Sequence, residues 1–223
     1  MKIKFSIIIP IYNCQNNIEL LIIKTVQKMS LCSSSFEIIL IDDGSMDKSW
    51  DILKSLKNKY KKIKIFKNKK NIGQHSTIIK GLSHSKGESI FIMDGDFQDD
   101  PKYFNKFINK KKNNNTCVFG LVHTNNEKGY LSYLFWTIFS YLTNINKHYR
   151  STSFCLIAKS SAIKLLKLKK RGFIYGDLYK LNEKIEFITY KKNKKKKDRS
   201  GYTYPKLILF GLKILSFYIF TSK

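Results

Sequence analysis

The chain has 223 residues, 43% hydrophobic and 14% aromatic, and carries 42 Lys and Arg against 16 Asp and Glu, for a formal net charge of +26. That is enough apolar chain for one sizeable core, and it excludes a disordered polyelectrolyte. Only Arg150, Arg171 and Arg199 are arginines, so the basic tracts "KLKKR" (167–171) and "KKNKKKKDR" (191–199) are nearly pure Lys. Nucleic-acid-binding tracts interleave Arg and aromatics, so no nucleic-acid partner is expected. The tracts suit either a solvated face or an anionic membrane surface. Cys14, Cys32, Cys117 and Cys155 stand singly, without C-x-x-C spacing or paired His, which argues against a zinc site or disulfide framework and fits a reducing cytosol. No run of about 20 uncharged apolar residues is present, so no membrane-spanning segment is expected.

In chain order, "FSIIIP" (5–10) is a continuous apolar run of the kind a strand buried on both faces requires. It stops at Pro10 without a small-residue cleavage site, so it reads as a first strand and not as a signal peptide. Residues 17–29 carry helical apolar spacing, and "EIILID" (37–42) is a second buried strand. Ser45 is the expected N-cap of a helix reaching Tyr60. A third strand at 63–66, a helix from "NIGQ" to His84, and a fourth strand at 89–94 follow. Asp100 before Pro101 predicts an N-cap with Pro at the first helical position. This alternation implies an α/β fold with a mostly parallel sheet, whose ligands sit beyond the carboxyl ends of the strands. The second half gives strands at 116–122, 153–158 and 185–190, an aromatic helix at 130–143 and a helix at 160–168, with 173–181 unassigned. "YPKLILFGLKILSFYIF" (204–220) reads as an apolar or amphipathic helix, lying either on a membrane or against protein in a core or a homo-oligomer interface.

Three of the expected strands end in polar clusters, "PIYN", "DDGS" and "DGDFQDD", and the last is the acidic one. Asp94 and Asp96, two apart at a strand exit, are expected to point to one side, with Gln98 continuing the alternation. Two carboxylates and an amide oxygen suit Mg2+ or Mn2+, hard ions that keep coordination positions open for phosphate. A D-x-D pair alone also serves turns and solvated loops.

"SIIIPIYN", "IDDGSMDKS", "NIGQ" and "FIMDGDFQDDP" together resemble, in order and spacing, the motifs of family 2 glycosyltransferases with the GT-A fold. The form D-x-D-x-Q-D-x-P resembles the branch that transfers sugars to polyprenyl phosphates, the dolichyl-phosphate mannose synthase type. The likeness covers residues 3–122 and continues more weakly through "TSFCLIAKSSAIKLL" (152–166) and "RSGYTYPKL" (199–207). It implies a nucleotide-sugar donor whose base is held by Pro10, Tyr12, Asp43 and Lys70, with Asp43 accepting from an imide N–H. It further implies Asp94 on the ribose or metal, and Asp96 with Gln98 on the metal. The division it suggests is a GT-A domain at 1–203, with a nucleotide-sugar half at 1–115 and an acceptor half at 116–203, followed by a helix at 204–223.

The acceptor divides two readings. A polyprenyl phosphate is already an anionic nucleophile and needs cations, for which Lys195, Lys197 and Arg199 stand ready beside the apolar 207–220 segment. That places the protein in the cytoplasm, peripheral on the inner face of the membrane. A glycan hydroxyl needs a base, for which Asp177 in "GFIYGDLYK" is the candidate. Three features depart from the phosphate branch: His123 and Asn126 stand where it has Arg after the fifth strand, Cys155 replaces Arg in "SFCL", and the trailing transmembrane helices of many members are not expected here. An inactive binding protein that keeps the fold is the weaker alternative. Glu183 and Glu186 read as solvated charges, and Cys155 as core packing.

Overall fold

The computed structural model describes residues 2–123, 137, 138, 141, 149–169, 174–193 and 216. The elements run β1 (Phe5–Ile11), α1 (Ile18–Cys32), β2 (Phe36–Asp42), α2 (Ser49–Lys59), β3 (Ile63–Lys67), α3 (Gln74–His84) and β4 (Ser89–Ile92). After a 3-10 turn (Pro101–Tyr103) come α4 (Phe104–Lys110), β5 (Thr116–His123), β6 (Tyr149–Ala158), α5 (Lys159–Lys167), α6 (Ile174–Lys180) and β7 (Lys184–Thr189). The aromatic segment 130–143, apart from three residues, and the 204–220 segment, apart from Ser216, lie outside the described residues.

One seven-stranded sheet has the order β3-β2-β1-β4-β6-β5-β7. β6 is antiparallel to both its neighbours and the other pairings are parallel, so six strands point one way. Alternate residues of the central strands feed two apolar layers. Ile7, Ile9, Ile38 and Leu40 pack with Ile18, Leu21 and Ile22 of α1, Leu53 and Leu56 of α2, and Phe104 and Phe107 of α4. Ile8, Ile39 and Ile41 pack on the other face with Ile78 and Leu82 of α3, Leu165 of α5, and Ile174 and Leu178 of α6. Both faces are covered, which is why β1 and β2 are buried along their whole length. Cys155 is buried in the second layer, as expected of a packing residue.

Some local expectations are corrected. Ser45 does not cap α2, which begins at Ser49; its hydroxyl instead accepts from the Asn13 N–H. The β2–α2 turn is used to dock on the β1 exit: Asn13 Oδ1 accepts from Met46 N, Asp47 from Gln15 N, and Ser49 Oγ from Cys14 N. Asp47 also accepts from Ser49 N and so takes over the start of the helix. Asp100 does cap, accepting from Lys102 N at 2.9 Å, with Pro101 at the first position. Glu183 is not solvated, and Glu186, part-exposed, is an ion-pair partner. Glu183 accepts from Ser161 and pairs with Lys164, joining the α6–β7 turn to α5, while Glu186 pairs with Lys110 and Lys112.

At the amino edge of the sheet, Glu37 is 2% exposed. It accepts from Ser6 Oγ (2.7 Å), Lys86 N (2.7 Å) and Lys64 Nζ (2.6 Å). Burial pushes its carboxyl up, but the bonds from Lys64, Ser6 and Lys86 outweigh it and hold the group below the usual range. Glu37→Leu strands three donors and is expected to destabilise the protein by about 2–4 kcal/mol in urea unfolding. Lys64→Met, at a lysine with 41% side-chain exposure, is expected to cost about 1 kcal/mol or less.

Candidate active site

β1, β2, β3 and β4 all end at one edge of the sheet, and the Asp94–Asp100 turn follows β4 there. β4 stops at Ile92, so the strand alternation expected to align Asp94, Asp96 and Gln98 does not reach them. A compact turn places them instead. Phe97 is in the left-handed region at φ 60°, and Asp96 Oδ1 accepts from Gln98 N at 3.1 Å. Gly95 is required by closeness: a Cβ there would sit 2.8 Å from Ile11 Cδ1 and 2.9 Å from the Pro10 carbonyl. The acidic turn is thus pressed onto the end of β1.

Asp94 is half-buried and accepts from Gln74 Nε2 at 2.5 Å, and Ser153 nearby favours its ionised form. Ser153 is there because β6 runs antiparallel to β4, with Ile92 opposite Cys155, so β6 enters beneath the turn. Burial, and then the charge of Asp99, push the Asp94 carboxyl up to about 7. Asp99 is fully buried. Its Oδ1 accepts from the Tyr190 hydroxyl at 2.5 Å and its Oδ2 from Asp94 N at 3.3 Å. Tyr190 Oη also lies 2.9 Å from Thr152 Oγ1.

β7 ends at the same edge, and the residues after it close over the turn. Lys192 Nζ is 3.6 Å from Asp99 Oδ1. Asn193 donates to two successive carbonyls, from its backbone N–H to Gln98 (2.8 Å) and from Nδ2 to Phe97 (3.1 Å). A bulky residue in the left-handed region costs on the order of 1–2 kcal/mol. The Asn193 clamp offsets that cost.

On the α3 side of the edge, Asp43 is 3% exposed. Its oxygens accept from Asn68 Nδ2 (2.8 Å), Ile72 N (2.9 Å) and Gly73 N (2.9 Å), fastening the 68–73 loop to β2. Gly44, at φ 72°, lets the turn meet that loop, since a Cβ would lie 2.8 Å from Asn71 N and from the Lys70 carbonyl carbon. Lys70 itself is exposed, Tyr12 is 41% exposed at the β1 exit, and Pro10 is buried in β1. Asp42, fully buried, accepts from Ser45 N through Oδ2, while its Oδ1 has no hydrogen-bond partner among the described residues.

The structure therefore brings Pro10, Tyr12, Asp43, Lys70, Asp94, Asp96 and Gln98 to one edge. Asp177 is 4% exposed in the first turn of α6, where its charge acts on Lys180. Lys195, Lys197, Arg199 and Asn126 lie outside the described residues. Sequence reasoning missed Gln74, Asn68, Ser153, Tyr190, Lys192 and Asn193. Gln74 ends the "NIGQ" segment and was within reach; the β6 and β7 residues carry no local signal.

Among the described residues no three His, Cys, Asp or Glu side chains form a self-sufficient metal site. The donor set is instead hard oxygen on a turn, suited to an ion that completes its shell from phosphate and water.

The family model for glycosyl transferase family 2 matches residues 6–166. The chain belongs to that family. It is 25% identical over 218 residues to an uncharacterized glycosyltransferase of Synechocystis, covering 95% of this chain and 68% of that protein. It is 36% identical over 107 residues to the undecaprenyl-phosphate 4-deoxy-4-formamido-L-arabinose transferase of Yersinia enterocolitica, covering 47% of this chain and 32% of that protein. The chain thus matches about a third of that transferase's length. Among solved structures it is similar to glucosyl-3-phosphoglycerate synthase of Mycobacterium tuberculosis, solved with Mn2+, UDP-glucose and phosphoglyceric acid. The TM-score is 0.69 at 10% identity, over 96% of this chain and 77% of that one. The fold of this family 2 member is GT-A, and no helix among its described residues is long and apolar enough to cross a membrane.

The raised Asp94 group has a signature in stability. Its folded value of about 7 exceeds the ordinary carboxylate value of about 4, so the folded state binds the proton more tightly and this contribution to stability falls as pH rises between the two. His75, lowered to about 4 by burial, contributes the opposite slope in that window, so the wild-type curve alone does not isolate Asp94. The difference from Asp94→Asn does. In metal-free protein the variant is expected to gain on the wild type as pH rises from about 5 to about 8, read from urea midpoints; a pH-independent difference would contradict the assignment.

Proposed function

We propose that the protein is a metal-dependent, inverting glycosyltransferase that moves a sugar from a nucleotide-sugar donor to a polyprenyl phosphate at the cytosolic face of a membrane. The observation that carries this reading is the meeting of Asp43, Asp94 and Asp96 at the carboxyl edge of four parallel strands, in a family 2 chain whose relatives include undecaprenyl-phosphate sugar transferases.

In this reading the base lies between Tyr12 and the 68–73 loop. Asp43 already accepts three bonds, and since a carboxylate offers about four acceptor positions, one is left for an imide N–H. Lys70 lies in the same loop and Pro10 forms the floor. Asp94, oriented by Gln74, faces the ribose or the metal, and Asp96 with Gln98 would hold Mg2+ or Mn2+ against the diphosphate. When bound, the ion supplies positive charge that stabilises the departing nucleoside diphosphate. An acceptor phosphate oxygen attacks the sugar's anomeric carbon from the face opposite the breaking C–O bond. The oxygen is already ionised, so no side chain has to take a proton. Lys195, Lys197 and Arg199 follow directly on the β7 exit that closes over the acidic turn, and they supply cations for the incoming phosphate and the membrane surface.

A hydroxyl acceptor is the second reading. It draws support from Asp177, a buried acid in the acceptor half, as general base.

The test incubates labelled UDP-, GDP- and dTDP-sugars with polyprenyl phosphate and Mg2+ or Mn2+ and follows label into the organic phase. Label is expected to enter it, to stop with EDTA, and to fall about 100-fold or more in Asp96→Asn. Donor binding without lipid product would overturn the phosphate acceptor. The second reading then requires that Asp177→Asn abolish transfer to a glycan.

A further inference from the structure

Pairing with the buried Asp99 explains Lys192 only in part. Its side chain is 28% exposed, enough for a ligand to reach, and its Nζ stands at 3.6 Å from Asp99 Oδ1, beyond direct hydrogen-bonding distance. Its charge works against the burial that pushes the Asp99 carboxyl up, but the Asp99 oxygens take their hydrogen bonds from the Tyr190 hydroxyl and the Asp94 N–H. The ammonium has three N–H donors, and among the described residues its ion pair is this long one. The charges of Asp99, Asp94 and Asp96 all act on it, and outweigh the burial that works against a cation there. Asn193, the next residue, is clamped to Phe97 and Gln98, so Lys192 cannot drift from the turn. The result is a part-exposed cation held beside the carboxylates assigned above to the metal and diphosphate, with a single long ion pair among the described residues.

Charge counting gives it a task. Asp94, Asp96 and Asp99 bring up to three negative charges, and a divalent ion with one ammonium balances them. A phosphate arriving at the turn then meets a neutral site only if Lys192 is present, and a like-charged metal favours turning the ammonium outward to the phosphate. We propose that Lys192 is a phosphate-binding residue of this site, resting near Asp99 in the ligand-free protein and donating to a phosphate oxygen once the ligand binds. The proposal rests on the functional reading above. The phosphate has two possible sources, the donor diphosphate or the acceptor phosphate.

The experiment measures three things in wild type, Lys192→Met and Lys192→Arg: Mn2+ alone by electron paramagnetic resonance, UDP and GDP with Mn2+ by calorimetry, and uridine and guanosine by ligand-observed NMR. Farnesyl phosphate with Mn2+ is the acceptor arm. Lys192→Met is expected to weaken the nucleoside diphosphate, or farnesyl phosphate if the acceptor is the source, by at least about tenfold. It is expected to tighten Mn2+ alone by about threefold to tenfold, since a competing cation is gone, and to leave the nucleoside unchanged. Lys192→Arg is expected to restore phosphate binding. If Lys192→Met does not fold, Lys192→Gln serves in its place. Unchanged binding of both phosphates, or equal weakening of Mn2+, phosphates and nucleoside, would make Lys192 a structural counter-ion and overturn the proposal. Failure of the wild type to bind UDP or GDP would overturn the functional reading itself, and is told apart because it appears before any substitution.

Discussion

The hydrogen bond from Tyr190 to Asp99 is the constraint on which the site depends. A fully buried carboxylate is tolerated only with close partners, and Asp99 draws one from its own turn and the other from the end of β7, 91 residues along the chain. The acidic turn therefore belongs to the whole sheet and not to the strand that precedes it. β6 enters beneath it with Thr152 and Ser153, β7 ends above it with Tyr190, and Asn193 fixes the backbone at Phe97. With that turn in place, Asp94 and Asp96 stand at the edge where β1 and β2 deliver Tyr12 and Asp43.

The same edge shows how much of a motif is architecture. In "IDDGSMDKS", Asp43 fastens the 68–73 loop, Asp47 and Ser45 receive backbone donors from the β1 exit, and Ser49 closes the turn. These loops hydrogen-bond one another because neither has a strand neighbour beyond the sheet edge, and buried donors need acceptors. Loops tied by such mutual bonds are ordered before any ligand arrives, which favours binding by reducing the ordering that binding must impose.

The first half of the fold was legible because its elements are local: strands of four to seven residues, buried throughout in β1, β2 and β4, helices with clear apolar spacing, and turn chemistry at each junction. Asp100 and Pro101 gave a helix start that the structure repeats. Legibility failed where distant chain decides the outcome. Ser45 has the chemistry of a cap but is claimed by Asn13, and Glu183 and Glu186 looked solvated because the lysines and serine that pair with them lie 19 to 76 residues away. Tyr190, Lys192 and Asn193 were invisible for the same reason: nothing local says that the strand before them pairs with β5 and ends at the acidic turn. The family resemblance located the acids, but the cation set among them came from the topology.

The measurement that tests the central claim most directly is the position of Mn2+ in crystals grown with a nucleoside diphosphate, read from its anomalous scattering. The account predicts an ion coordinated by Asp96 and by phosphate oxygens, with the base beside Tyr12 and Asp43. An ion bound away from the Asp94–Asp100 turn, or a nucleotide seated elsewhere on the chain, would contradict it.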